Sequence, residues 1–234
     1  MLNTPARVRR FAAAMRRCES GLAMLEFAFT LPIFATLCLT GAELTNYIIT
    51  KMRVSQIALH LADNAARIGT GTQLQAKTIS EADINDLLTG ADLQAGELGL
   101  FTNGRVIISS IEPDTVNTGK SQIRWQRCKG SKTALTSNYG VAGATNLTGV
   151  GPTGRQVAAA TDGVTMFVEV RFQYKPLIKT ALSPTTEFDE IASMMVRDRR
   201  DTTDDSKLAN GTNNPNPTHP LGIYKVSGVT ASTC

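Results

Sequence analysis

A run of 19 residues from Leu22 to Thr40 contains a single charge, Glu26, and a block of arginines stands just before it. The run is close to the roughly 20 apolar residues needed to cross the hydrocarbon core of a bilayer. A carboxylate inside such a run is expensive. Insertion scales put the cost at about 2.5–3.5 kcal/mol at mid-depth, with less near the interface. Glu26 therefore needs a partner. A cut after Gly21 would create one, because the new α-amino group of Leu22 is a cation close to Glu26, in the same or a neighbouring subunit.

The charge distribution supports an oriented membrane segment. The chain has a net charge of +4, and residues 1–21 hold all of it: five arginines (Arg7, Arg9, Arg10, Arg16, Arg17) against Glu19. The remaining 213 residues balance, with 19 basic and 19 acidic side chains. The basic isoelectric point thus belongs to the leader and gives no ground for a nucleic-acid partner. Arginines before an apolar helix instead hold that end in the cytoplasm. A secretory signal would need a small-x-small site beyond the run, and Thr36-Leu37-Cys38 and Thr40-Gly41-Ala42 are poor versions of one. Arg9-Arg10-Phe11 lies far from the apolar run for a twin-arginine signal. An uncleaved single-pass anchor, carrying a periplasmic head that binds a ligand or partner, remains the competing reading.

Helical pattern continues past the apolar run. Leu44, Tyr47, Ile48, Met52, Ile57, Leu61 and Ala65 recur at helical spacing among polar residues, until Gly69-Thr70-Gly71 breaks the pattern. A helix over Leu22–Arg67 has 46 residues and is about 69 Å long. Pro32 is expected to kink it. Ser80 and Asp83 form a capping box for a second helix, with Ile84, Leu87 and Leu88 on its apolar face and Gly90 as its expected end.

The period then changes. Arg105–Ile111, Ser121–Cys128, Val164–Tyr174 and Glu187–Val196 read as strands. Ile123 and Trp125 are expected on one buried face. The fold class is therefore α+β: a long N-terminal membrane-spanning helix packed on a mostly antiparallel sheet of about four strands. The chain divides into a leader (1–21), a helix with a transmembrane first half (22–67) and an extracytoplasmic α+β head (68–234). Residues 137–154 and 198–220 read as surface loops, the second mobile.

The head offers no recognisable chemistry. Gly149-Val-Gly151-Pro-Thr-Gly154 matches G-x-G-x-x-G, but a dinucleotide site needs that turn between a strand and a helix. Asp198, Asp201, Asp204 and Asp205 fit no EF-hand spacing and stand among Arg197, Arg199 and Arg200, which favours a solvated turn over a cation site. His60 and His219 belong to no triad or zinc set. Trp125, flanked by Arg124 and Arg127, reads as a core aromatic rather than a binding platform. Glu43 falls at the outer boundary of the span, with Lys51 or Arg53 of a neighbouring helix as candidate partners. No enzyme activity, cofactor, metal or small-molecule substrate is expected.

Cys18 and Cys38 have no neighbours at metal-ligand spacing. Cys128 and Cys234 lie in the part that the charge rule puts outside the cytoplasm, where disulfides persist. A bond between them would close a loop of 107 residues, and chain entropy gives roughly 4.7 kcal/mol for a loop near that size. Two free thiols are the alternative.

The segment Cys18-Glu-Ser-Gly21, followed by Leu22-Ala-Met-Leu-Glu26-Phe27-Ala-Phe-Thr-Leu-Pro32, resembles the TadE-like family, pseudopilins of the tight-adherence (Flp-type) type IV pilus system. Asn64-Ala-Ala-Arg67, Gly104-Arg-Val-Ile-Ile-Ser-Ser110 and Ile123-Arg-Trp-Gln-Arg-Cys128-Lys-Gly130 also look like segments of family members. Leu22-Ala23 departs from the small residues common there. The resemblance implies a pilin-like fold and cleavage between Gly21 and Leu22 by a membrane prepilin peptidase. It also implies pairing of Glu26, beside Phe27, with the N-terminal amine of an adjacent subunit. The implied location is the bacterial inner membrane, head outside, and the implied partners are other pilus or pseudopilus subunits.

Overall fold

The computed structural model of the chain describes residues 4–16, 20–72, 74–178 and 186–234. They fall into two compact units, one within Met1–Asn46 and Pro176–Pro184, the other within Tyr47–Lys175 and Thr185–Cys234. A helix α1 spans Thr4–Arg16, and α2 runs unbroken from Ser20 to Arg67 through Pro32. Pro32 cannot donate to the carbonyl one turn earlier, yet the helix continues across it.

In the first unit, the face-to-face difference that marks an ordinary amphipathic helix is missing. Leu22, Leu25, Phe27, Phe29, Ile33, Phe34 and Leu37 are all exposed. A helix that is apolar all round needs an apolar medium or other helices around it. By length and composition it is a candidate membrane span.

In the second unit, the same helix becomes amphipathic. Val54, Ile57, Ala58, Leu61, Ala62, Ala65 and Ala66 are buried in the main core. The C-terminal end of α2 is capped by a long-range side chain: the Arg200 guanidinium donates to the carbonyls of Ala65 (3.4 Å) and Ile68 (2.9 Å). A cation there also suits the negative end of the helix dipole.

The sheet has four antiparallel strands in the order β3-β2-β4-β5, where β2 is Gly104–Pro113, β3 Ser121–Lys129, β4 Thr165–Gln173 and β5 Glu187–Met195. Two short strands, β1 (Ile79–Ser80) and β6 (Ile223–Tyr224), pair in parallel beside it. The four expected strands are all present, within a residue or two at their ends. One face carries Val106, Ile108, Met166, Val168, Val170 and Phe172 into the core under α2 and α3 (Glu81–Ala95). A four-residue helix α4, Leu100–Asn103, leads into β2.

The structure corrects three expectations. Ile123 and Trp125 do not share a face. The register steps from Ser110↔Trp125 to Ile111↔Ile123, leaving Arg124 as the extra residue of a β-bulge. A bulge shifts the alternation by one, so Trp125 packs in the helix-side core and Ile123 in a second cluster with Ile111, Val150 and Phe167 on the opposite face. That second cluster is roofed by Tyr139, Ala144, Leu147 and Ala159, so the glycine-rich segment is a cover over the sheet rather than a free surface loop. Finally, α3 does not end at Gly90. It continues to Ala95 because Ala91 and Ala95 prolong the buried face, and Gly96, at φ 55°, provides the turn instead.

Gly90 is then an exposed glycine within a helix, with open space where a Cβ would stand and no positive φ. Gly90→Ala is expected to stabilise the protein by roughly 0.5–1 kcal/mol, read as a rise in the urea midpoint at unchanged slope.

Candidate functional site

Four of the residues singled out from the sequence, Gly21, Leu22, Glu26 and Phe27, lie on one helix, α2. Gly21 and Leu22 lie in the first turn of α2, both exposed. In that turn the backbone N–H groups have no intrahelical acceptors. Glu26 follows one turn later, exposed among Leu22, Met24, Leu25 and Phe27. Among the described residues no side chain or amide donates to the Glu26 carboxylate; only its backbone carbonyl is engaged, by Thr30 Oγ1 at 2.9 Å. Phe27 is 63% exposed beside it. The arrangement leaves a carboxylate exposed on an apolar surface.

Glu43 behaves differently. It is only 3% exposed, and its Oε2 accepts from the backbone N–H of Ile178 at 3.0 Å. That partner lies 135 residues away, so no local pattern could have named it. Lys51, a partner considered from sequence, instead stands 3.8 Å from Glu190.

Cys128 and Cys234 are joined in a disulfide. The segment that carries Cys234 is also tied by hydrogen bonds: Cys128 N–H donates to Ser232 O (2.7 Å), Asn85 Nδ2 to Thr230 O (2.9 Å) and Ser232 Oγ to Asn85 Oδ1 (2.7 Å). Cys38 is free and exposed on the apolar half of α2.

The acidic segment after β5 is held by its own backbone. Asp205 accepts from Thr218 N–H (2.6 Å), Thr218 Oγ1 (2.8 Å) and His219 N–H (3.0 Å). Asp204 accepts from Ser206 and Leu221 N–H, both at 2.9 Å, and Asp201 from Thr203 N–H and the Tyr224 hydroxyl. Burial works against these carboxylates as anions, but the donated bonds outweigh it and hold all three below the usual carboxylate range. Each carboxylate faces its own set of donors, and among the described residues no three acidic, histidine or cysteine groups converge as a metal site would require. The segment expected to be mobile is thus cross-tied throughout.

Two buried carboxylates are pushed the other way. Glu112 is raised by burial, against Arg124 at 3.8 Å. Glu169, fully buried on the face beneath the cover, is also raised by burial, and it accepts from Ser137 Oγ and from Asn138 N–H at 3.0 Å. Burial also lowers Arg200 to about 10. These groups fasten the cover and the helix end to the sheet. His219 stacks on Tyr224, and its Nδ1 lies 2.9 Å from the Thr218 hydroxyl, which itself donates to Asp205. His60 is exposed on α2. Gly149–Gly154 is a turn closed by the Val150–Val157 bridge, with no helix after it to receive a phosphate.

Compared with known protein families, with characterised proteins and with solved structures, the chain matches none.

Proposed function

We propose that the chain is a TadE-like minor pseudopilin of the tight-adherence pilus system, a structural subunit serving pilus biogenesis and surface adhesion. It is anchored in the bacterial inner membrane by the first half of α2, with its N-terminus cytoplasmic and its head periplasmic, and it enters contacts with other pilus or pseudopilus subunits after cleavage by a prepilin peptidase. The observation that carries this reading is Glu26: a carboxylate without a donor among the described residues, on a stretch of helix that is otherwise apolar all round, four residues after the first residue of the expected mature chain. Neutralisation by the Leu22 amine of an adjacent subunit makes that position tolerable. The arginine-rich leader, the Leu31-Pro32 spacing and a disulfide suited to an oxidising compartment support it as well. The head acts as a scaffold rather than an enzyme, since its polar side chains are engaged in holding loops and strands together.

Mass spectrometry of the protein from its native host tests the processing step. A mature N-terminus at Leu22 is expected, and an intact leader would favour the uncleaved anchor instead. Glu26→Ala is expected to leave membrane insertion intact, since it removes a charge from an apolar run, while abolishing or strongly reducing pilus assembly in a surface-pilus count. Normal piliation in that variant would remove the proposed role of Glu26.

A further inference from the structure

The leader is more than a block of positive charge. Residues Thr4–Arg16 form the helix α1, and its sequence is two-faced at 3.6 residues per turn. Val8, Phe11, Ala12 and Met15 fall on one side, within an arc of roughly 100°. Arg9 and Arg10, with Ala13 and Ala14, fall on the rest of the circumference. Val8, Phe11 and Met15 are each at least 60% exposed. A helix of about 12–15 residues is marginal in water without packing to support it, and residues 8–15 of α1 pack against nothing among the described residues. An apolar stripe with arginines on the other faces, a few residues before a candidate span in the sequence, matches one kind of surface: an anionic lipid interface.

We propose that α1 lies in the plane of an anionic lipid leaflet, with Val8, Phe11 and Met15 at the acyl boundary and Arg9 and Arg10 at the headgroup phosphates. In that position it holds the Gly21–Leu22 peptide at the membrane surface, at the depth where a membrane-embedded peptidase would meet it. This inference rests on the reading that Leu22–Thr40 crosses a membrane.

The test uses the full-length chain with Cys18→Ser and Cys38→Ser, the disulfide left oxidised, reconstituted in vesicles of phosphatidylcholine containing phosphatidylglycerol. Single cysteines at each position from 8 to 15 carry a spin label, and its relative accessibility to oxygen and to a water-soluble nickel chelate is measured. A label at Leu37 serves as the reference inside the span, and one at Val116 as the aqueous reference. The expected profile oscillates with a period of about 3.6 residues, lipid-facing at 8, 11 and 15 and aqueous at 9, 10 and 13. The oscillation is expected to be lost in pure phosphatidylcholine and in the Phe11→Glu variant. A profile as aqueous as Val116 throughout, with Leu37 still in lipid, overturns the inference and leaves the membrane span standing; binding of α1 by another protein would give that result. An aqueous Leu37 overturns both. An oscillation that survives Phe11→Glu unchanged also overturns it, because the apolar stripe would then not be what holds the helix.

Discussion

Arg127→Ala is expected to destabilise the head by about 3–5 kcal/mol, the range for breaking one side of a buried ion pair. Arg127 projects from β3 on the helix side of the sheet and meets Glu81, the first residue of α3, through two bonds, one of them Nε to Oε2 at 2.9 Å. Both side chains are at most 10% exposed. The guanidinium also donates to Gln126 O at 2.9 Å and lies 5.8 Å from the centre of the Trp125 ring. Truncation would therefore leave a carboxylate in the core with its main donors gone. The positive end of the α3 dipole offsets part of that loss, so Glu81→Ala, which strands a guanidinium instead, is expected to cost as much or more. The informative comparison is the pair replaced together. With Glu81→Leu and Arg127→Met combined, no charge is left buried, and the variant is expected to fall much nearer to wild type than the two single changes would sum to. Urea unfolding of the detergent-solubilised chain reads the four corners of that cycle: wild type, Glu81→Leu alone, Arg127→Met alone and the two combined. Additive losses would mean that the two groups do not act as a pair.

That ion pair also marks where sequence reasoning reaches its limit. The strands and both long helices are legible because each shows its period in a single local window: alternation at Val164–Tyr174, the helical spacing from Leu44 to Ala65, of which Ile57, Leu61 and Ala65 are buried, and the capping box at Ser80 and Asp83. The apolar run with its lone Glu26 was legible for the same reason. What stayed hidden depends on residues far apart. The bulge at Arg124 separates Ile123 from Trp125, and nothing in Ser121–Cys128 announces it, since the register is set by β2. Gly90 looked like a helix end because local propensity favours one, whereas burial of Ala91 and Ala95 decides the matter. The cover at 137–160 is glycine-rich and reads as loop. Its attachment through Glu169 and through the second cluster is a tertiary fact. Ile178, which donates to Glu43, and the carbonyls that Arg200 caps are each more than 130 residues away in sequence. Of the candidate site, the residues themselves were visible and their surroundings were not, which is why the leader was read as charge alone and its apolar stripe became apparent only as α1.

Removing the disulfide, by Cys128→Ser with Cys234→Ser, is expected to cost about 2–5 kcal/mol, the second large effect. The bonded cysteines are 106 residues apart, so on the chain-entropy account the bond restricts nearly half of the chain in its unfolded state. The folded state has reason to change little. The backbone bond from Cys128 to Ser232, the bond from Asn85 to Thr230 and the bond from the Ser232 hydroxyl to Asn85 are independent of the sulfurs, and Arg105 Nη2 donates to Cys234 O at 3.3 Å. Two readouts separate these contributions. If the bond acts on the unfolded ensemble, the urea midpoint falls and the slope rises, because the unlinked chain exposes more surface on unfolding. Hydrogen exchange at residues 230–232 would then stay slow under native conditions. If the bond instead holds the segment in place, those amides exchange fast in the double variant while the slope is unchanged. The hydrogen bonds favour the first outcome. It also bears on the proposed localisation: a head that draws this much stability from one oxidised pair is suited to a compartment where thiols oxidise, and the same chain kept reduced in the cytoplasm is expected to unfold at a lower urea concentration by the margin the double variant shows.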